Sequence, residues 1–474
     1  MKKVLSFLSI MLMAANTLQA QNKFIGSWQG SLNVGKELRL IFNIKADEKG
    51  VYSATMDSPD QGATGIPCSG VSIHGDSISV EMVKIRGVFD GVMQDANNIN
   101  GKWTQAGNSL PMKMKRMEKP LTLNRPQTPQ APFNYIIEDV VYPNKDKTME
   151  YGATITIPKG KGPFPALVMI TGSGPQNRDE ELFGHKPFAV IADYLTNHGY
   201  IVLRVDDRGM GKTTGKFRGS TSADFAKDVN TSVDYLKTRK EVDVKKIGLM
   251  GHSEGGMIAP MVASERKDID FIILEAGPGV KIAQLMEEQN AAILGKTGKL
   301  SEDAIAKYSL LYRNIAKDIV NAKDSIEARK VINRDVDAWK TTTAKEIVES
   351  TTGITDEDSQ ASFVDGFMEI YTDAWFRYFF SFDPQVYLRK LSCKVLALNG
   401  DKDIQVLSKS SIPGIRESLA KSKSKVYEAR EIPGLNHLFQ HCKTCTVNEY
   451  GQLEETFAPE VLGMIVDWLD KNVK

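Results

Sequence analysis

Lys246-Ile247-Gly248-Leu249-Met250-Gly251-His252-Ser253-Glu254-Gly255-Gly256 is the stretch on which the reading of this chain turns. An apolar run ends at Met250, and Gly256 to Ala263 opens a helix at once. The G-x-S-x-G between them is weak evidence alone; between a strand and a helix it is strong. So sharp a turn makes side chains two residues either side of the serine collide, so 251 and 255 must be glycine. The strain lifts the Ser253 hydroxyl to the carboxyl edge of a sheet, and the new helix points backbone N–H groups at the same spot. Ser253 is the candidate nucleophile, and the N–H of Glu254 a candidate oxyanion donor.

Outward from this turn, short apolar runs alternate with helical stretches. Tyr135 to Val141 and Ala153 to Ile157 form an opening pair of strands. Ala166–Ile170, Ile201–Val205, Lys246–Met250, Phe271–Leu274, Lys394–Leu398 and Lys425–Glu428 follow, with helices near Phe188–Asn197 and Ala223–Thr238 and from Pro459. Apolar strands alternating with helices predict a parallel sheet covered on both faces. From Gly277 to about Lys390 the strands stop and the composition is helical, which predicts a cap over the ligand edge.

A serine hydroxyl is a poor nucleophile without a base. The chain has six histidines, and only His437 and His441 follow Ser253, as the Ser–acid–His order of such sheets requires. His437 lies in the loop just after a strand and is the expected base, with His441 the runner-up. His252 aims elsewhere in so tight a turn and reads as a packed structural histidine. The acid belongs on the loop after Lys394–Leu398, where Asp401 and Asp403 both qualify. Asp401 suits a turn beside Gly400, and Asp403 is better placed to reach His437; spacing leaves both open. The second oxyanion donor belongs on Thr171-Gly172-Ser173-Gly174-Pro175, with the N–H of Ser173 first and that of Gly174 next.

At these residues the chain resembles bacterial α/β-hydrolases of the esterase and lipase type, close to their serine-aminopeptidase-like and prolyl-oligopeptidase-like branches. Ile170 to Asp179 is similar to their oxyanion loop, Arg204 to Gly211 to the loop after their fourth strand, and Gly251 to Gly256 to their elbow. Asn399 to Val406 resembles their G-x-x-D-x-x-V acid loop, which favours Asp403, and Leu435 to Phe439 their histidine loop. The likeness covers residues 135 to 474. It implies an α/β-hydrolase fold, no cofactor or metal, and a small-molecule ester as substrate. Many relatives carry histidine before the oxyanion glycine where this chain has Thr171, so the loop's support must differ.

The flanking sequence bounds the rest. Lys2 and Lys3 followed by apolar Val4 to Met13 and Thr17-Leu18-Gln19-Ala20 read as a signal peptide over 1–20, so export to a bacterial periplasm or medium is expected. No later run is long and apolar enough to span a membrane. Residues 21–117 read as a small all-β barrel or sandwich of roughly six to eight strands, with Trp28 and Trp103 packed in its core. Pro120, Pro126, Pro129 and Pro132 mark 118–134 as a linker, and 135–474 is the hydrolase domain. A net charge of +1 shows no basic excess for nucleic acid, and hydrophobic residues at 41% suit a globular protein. Nothing sets an oligomeric state. Of four cysteines, Cys442 and Cys445 favour a local disulfide, while Cys68 and Cys393 are expected free and buried. Asp206, Asp207 and Arg208 are expected to brace a loop by ion pairs. The rival functions are a carboxylesterase, a serine peptidase for short peptides and a non-catalytic binding protein on a hydrolase fold.

Overall fold

Side chains of a strand alternate between its two faces, so a strand covered on both faces is apolar throughout. Val168 and Leu249 enter one core with Val233, Ile258 and Ile415, whereas Leu167 and Met250 enter another with Phe188, Val461 and Leu469. The computed structural model describes residues 22–474 apart from 35–36, 48–49, 62, 106 and 119–123. The expected signal peptide and the middle of the proline-rich segment therefore lie outside the described residues. Two units are present, 22–124 with 448–454, and 125–447 with 455–474.

The strands of the second unit are numbered here as β1 (Tyr135–Pro143), β2 (Glu150–Pro158), β3 (Phe164–Ile170), β4 (Ile201–Val205), β5 (Val242–His252), β6 (Phe271–Glu275), β7 (Lys394–Gly400) and β8 (Tyr427–Ile432). They form one sheet in the order β1-β2-β4-β3-β5-β6-β7-β8. β2 runs antiparallel to β1 and β4, and all other pairs are parallel. Helices α1 (Pro187–Asn197), α2 (Ser222–Lys237) and α3 (Glu254–Glu265) connect the central strands. This order, with helices on both faces, is the α/β-hydrolase fold expected from the sequence. β8 begins at Tyr427 and extends to Ile432, later and longer than the apolar run suggests, because as an edge strand it is only partly covered, with Ala429 and Ile432 buried.

Between β6 and β7 the chain forms α4 (Ile282–Lys296), α5 (Glu302–Asn321), α6 (Ser325–Thr342), α7 (Lys345–Thr352), α8 (Glu357–Tyr371), α9 (Ala374–Phe380) and α10 (Pro384–Leu388). Several start on a capping side chain: Ser301, Asp324, Asp356, Asp373 and Asp383 each accept a backbone N–H of the first turn. This cap holds a core of its own, in which Ile315, Ile332, Val336, Trp339, Phe376 and Phe380 meet. α11 (Ser408–Ala420) and α12 (Pro459–Asn472) complete the unit.

The first unit is a single nine-stranded antiparallel sheet, not a sandwich, and carries more strands than the turn spacing suggests. Its edge strands, Ala63–Pro67 and Gly70–His74, are consecutive in the chain. Cys68 N donates to Ala54 O and Ser69 N to Glu81 O, so the sheet curls until its edges meet. Trp28 and Trp103 are both buried in its core. No helix of the described residues is long and apolar enough to cross a membrane.

Leu249 is fully buried on β5 against the α2–α3 face. Leu249→Ala should lower unfolding stability by about 3 kcal/mol. Urea denaturation should show an earlier midpoint for the second unit with an unchanged slope.

Candidate active site

β5 ends and α3 begins within one residue, and Ser253 sits between them with φ 53° and ψ −113°. A side chain rarely adopts this conformation, so the surroundings must hold it. Ser253 N donates to Glu275 O at 2.8 Å, tying the turn to β6. A Cβ at Gly251 would lie 2.1 Å from Gly255 O, and one at Gly255 would lie 2.1 Å from Ile170 O. Glycine is thus required at both positions, the second because the elbow packs on the end of β3.

The loop after β7 brings Asp403 to His437. His437 Nδ1–H donates to Asp403 Oδ2 at 2.8 Å, and both side chains are buried. Asp403 is pinned by further donors: Gln405 N and Val406 N to Oδ1 at 2.7 and 2.9 Å, and Asn399 Nδ2 to Oδ2 at 3.1 Å. Asp401 does something else; it accepts Gly434 N at 2.6 Å and so ties the β7 loop to the β8 loop. The alternatives left open by spacing are separated by which carboxylate faces the ring. The β8 loop is shaped by Asn436, whose Oδ1 accepts Leu438 N and Gln440 N at 2.9 and 3.0 Å. His441 is exposed and paired with Glu455 and Glu460, away from this group. Cys442 and Cys445 form the expected disulfide just beyond, while Cys393 is free and buried and Cys68 is free but only half-buried.

His252 carries the β8 loop to the elbow. Its ring lies 4.8 Å from that of His437, and its Nε2–H donates to His437 O at 3.0 Å. Its Nδ1 lies 3.0 Å from Glu180 Oε1, and the same oxygen accepts Gly172 N at 2.7 Å. Burial works against a charge on His252, but the carboxylate of Glu180 outweighs it and lifts the ring to about 9. The histidine read as a packed structural residue is therefore buried, with a carboxylate and a carbonyl oxygen as the partners of its two ring nitrogens. Among the described residues Ser253 Oγ and His437 Nε2 are each left without a hydrogen bond, and so are the N–H groups of Ser173 and Glu254.

Thr171, which replaces the histidine of many relatives, donates its hydroxyl to Asp207 Oδ1 at 2.7 Å, while Gln176 N donates to Asp207 Oδ2 at 2.8 Å. One carboxyl thus holds both ends of the loop that presents Ser173. Among the described residues Asp207 makes no ion pair, contrary to expectation; burial pushes it up to about 7. Asp206 and Arg208 do pair, with Arg178 at 2.6 Å and with Asp228 at 2.9 Å. Two further carboxyls are raised by burial, Glu254 and, to about 8, Glu275. Glu254 Oε1 accepts Ser222 Oγ at 2.6 Å and the indole N–H of Trp375 at 2.9 Å, which fastens α9 of the cap to the elbow. A cavity of about 50 Å³ lies here, with Gly172, Asp207, Phe217, Phe225 and Glu254 in its wall.

Asp207 and Glu275 escaped the sequence reading as parts of the site, as did the bonds of Glu180 to His252 and Gly172 N and of Trp375 to Glu254. Glu180 and Asp207 lie in loops whose folding no local pattern reveals. Glu275 did leave a signal, since a charge closing the apolar strand Phe271-Ile272-Ile273-Leu274 is expensive unless it has a task.

An elbow serine, a carboxylate–histidine pair and open N–H groups at one sheet edge define the constellation of an α/β-hydrolase. Comparison with known proteins agrees with that class. Residues 186–362 match the family described as serine aminopeptidase, S33. The chain is similar to Esterase EstD of Thermotoga maritima, 38% identical over 135 residues that make up 28% of this chain and 32% of that one. It is also similar to an acyl transferase of Photobacterium leiognathi, 30% identical over 26% of this chain and 36% of that protein. The chain thus spans about a third of the length of these relatives. Among solved structures it is similar to the esterase Pf2001 of Pyrococcus furiosus, with 16% identity, a TM-score of 0.43 and coverage of 72% of this chain and 92% of that one.

Gly255→Ala, like Gly251→Ala, should be severely damaging, because the nearest neighbour of the added methyl is backbone that cannot turn aside. A stability loss of about 3 kcal/mol is expected, seen as an early thermal transition of the second unit.

Proposed function

We propose that the protein is a serine carboxylesterase that cleaves small or medium esters through an acyl-enzyme on Ser253. The observation that carries this reading is the buried Asp403–His437 pair brought against the elbow, with an unbonded ring nitrogen facing away from the acid. In the proposed reaction His437 Nε2 takes the proton as Ser253 Oγ attacks the ester carbonyl carbon. Asp403 stays ionised, holds the ring's other N–H and stabilises the imidazolium. The N–H groups of Ser173 and Glu254 receive the negative charge on the carbonyl oxygen, helped by the positive end of α3. The tetrahedral intermediate collapses, the alkoxide leaves with the proton from His437, and water releases the acid by the same steps in reverse.

An ester is favoured over a peptide by what borders the elbow. Firm capture of a short peptide by its terminus usually uses a free charged anchor, whose charge-assisted bonds are the strong ones. Three acidic groups around the elbow are instead engaged in holding the structure: Glu180 with His252, Asp207 with Thr171 and Gln176, and Glu254, through one oxygen, with Ser222 and Trp375. Arg208 is spent on Asp228. The aromatic face of α9 suits an acyl or aryl group. The esterase likeness of a third of the Thermotoga protein supports the same choice. The disulfide beside the site suits export to an oxidising compartment, and the reading includes a bacterial periplasmic or secreted location.

Ser253→Ala should lower ester turnover at least about a thousandfold while leaving the fold intact, since only binding and the oxyanion donors remain. A fluorophosphonate probe should label the wild type and not the variant; an unlabelled wild type would leave the non-catalytic reading. Short p-nitrophenyl esters should be turned over much faster than aminoacyl anilides. Equal rates would replace the esterase by the peptidase.

A further inference from the structure

His252 stands next to the nucleophile, yet the proposed chemistry gives it no part. Resting on that proposal, we infer that His252 is a positioning residue whose doubly protonated ring clamps the oxyanion loop and the base loop onto the elbow. Its two ring nitrogens face the carbonyl oxygen of His437 and the carboxylate of Glu180, both at 3.0 Å. Neither partner is a donor as an ionised carboxylate or a carbonyl, so a neutral imidazole with one N–H can serve only one of them. The cation serves both. Glu180 Oε1 passes the restraint on by accepting Gly172 N, in the residue just before Ser173. One charged ring therefore holds the loop after β3 and the loop after β8 at the end of β5.

The groups that face His252 come from each element packed on it. Glu180 reaches it from the loop after β3, Glu275 from the end of β6, and His437 from the loop after β8. Behind these stand Asp403, bonded to His437, and Asp207, whose carboxyl feels that of Glu180. Glu180 and Glu275 favour the cation. His437 becomes a second cation during turnover, and Asp403 answers that charge, so each of the two adjacent rings has its own carboxylate. The ring of His252 is raised to about 9 by these neighbours, so the clamp is complete through neutral pH and opens as the pH climbs past that value. A shift of the base or the donors by a fraction of an ångström is enough to slow the chemistry.

The test combines a pH profile with direct titration of the ring. For a short p-nitrophenyl ester, corrected for spontaneous hydrolysis, wild-type kcat should decline on an alkaline limb centred near 9. His252→Gln should cost about tenfold to a hundredfold in kcat with little change in KM, and should abolish that limb. Glu180→Gln keeps an acceptor for Gly172 N but removes the charge, and should move the limb down by about one to two pH units. NMR of the imidazole Cε1–H, assigned by its absence in His252→Gln, should follow the same midpoints. A ring that titrates in the ordinary histidine range, or a limb and resonance unmoved by Glu180→Gln, would overturn the clamp. If His252→Gln does not fold, the wild-type and Glu180→Gln profiles still decide, with the resonance assigned through the Glu180→Gln shift. If the wild type neither hydrolyses esters nor takes a fluorophosphonate, the catalytic reading fails, and the ring titration still answers whether the charged clamp exists.

Discussion

The bare α-carbon of Gly255 rests on the carbonyl oxygen that ends β3, and the position of every group at the site depends on that approach. It sets the depth to which α3 sinks between the central strands. That depth fixes where Ser253 emerges and where the first N–H groups of the helix point. It also brings the elbow within reach of the β3 loop, so the candidate oxyanion donors come from two chain segments that meet at one backbone contact. Gly251 closes the same turn from the other side. The strained φ of Ser253 is the geometric residue of these two contacts, held by the bond from its N–H to the end of β6.

Around that contact the molecule buries more charge than its activity alone would need. Carboxyls out of water rise in pKa or find donors. Here both solutions occur side by side. Asp403 is surrounded by N–H groups and the His437 ring. Glu180 is ion-paired. Asp207, Glu254 and Glu275 are raised by burial, and the first two accept hydrogen bonds that hold, respectively, the oxyanion loop and the cap. The ends of the sheet are thus joined by polar links where an ordinary core would use packing. Such links have fixed lengths and directions, which apolar contacts lack.

What could be seen in the sequence was whatever a local pattern controls. The strands of the parallel sheet are apolar because both faces are covered, and their order along the chain carries the serine, the acid and the histidine to one edge. The cap was legible only as a stretch of helical composition without strands; its N-caps, Asp324 and Asp356 among them, emerge in the structure. The choice of Asp403 over Asp401 was harder. Both lie in one tight loop, and only the register of β7 against β8 decides which faces the ring. For the first unit the turn spacing left barrel and sandwich open, because what separates them is the pairing of the crossing at Cys68-Ser69 with two strands far apart in the sheet. The partners of His252 and Asp207 were illegible for a stronger reason: they come from loops far apart in the chain, brought together only by the sheet.

The cap leaves the sheet at the carboxyl end of β6 and re-enters at the amino end of β7, its parallel neighbour. Any connection between parallel neighbours must cross the sheet, and here the last short helix, Pro384–Leu388, makes that crossing against α3. Everything from α4 to α9 is therefore a detour hung on an obligatory crossover, with a hydrophobic core that it shares in part but does not lend. Such a segment can be lengthened, shortened or exchanged in evolution while the strands on either side keep their register. Selection on what the protein accepts can act on one stretch of the gene, and selection on its bond-breaking machinery on another.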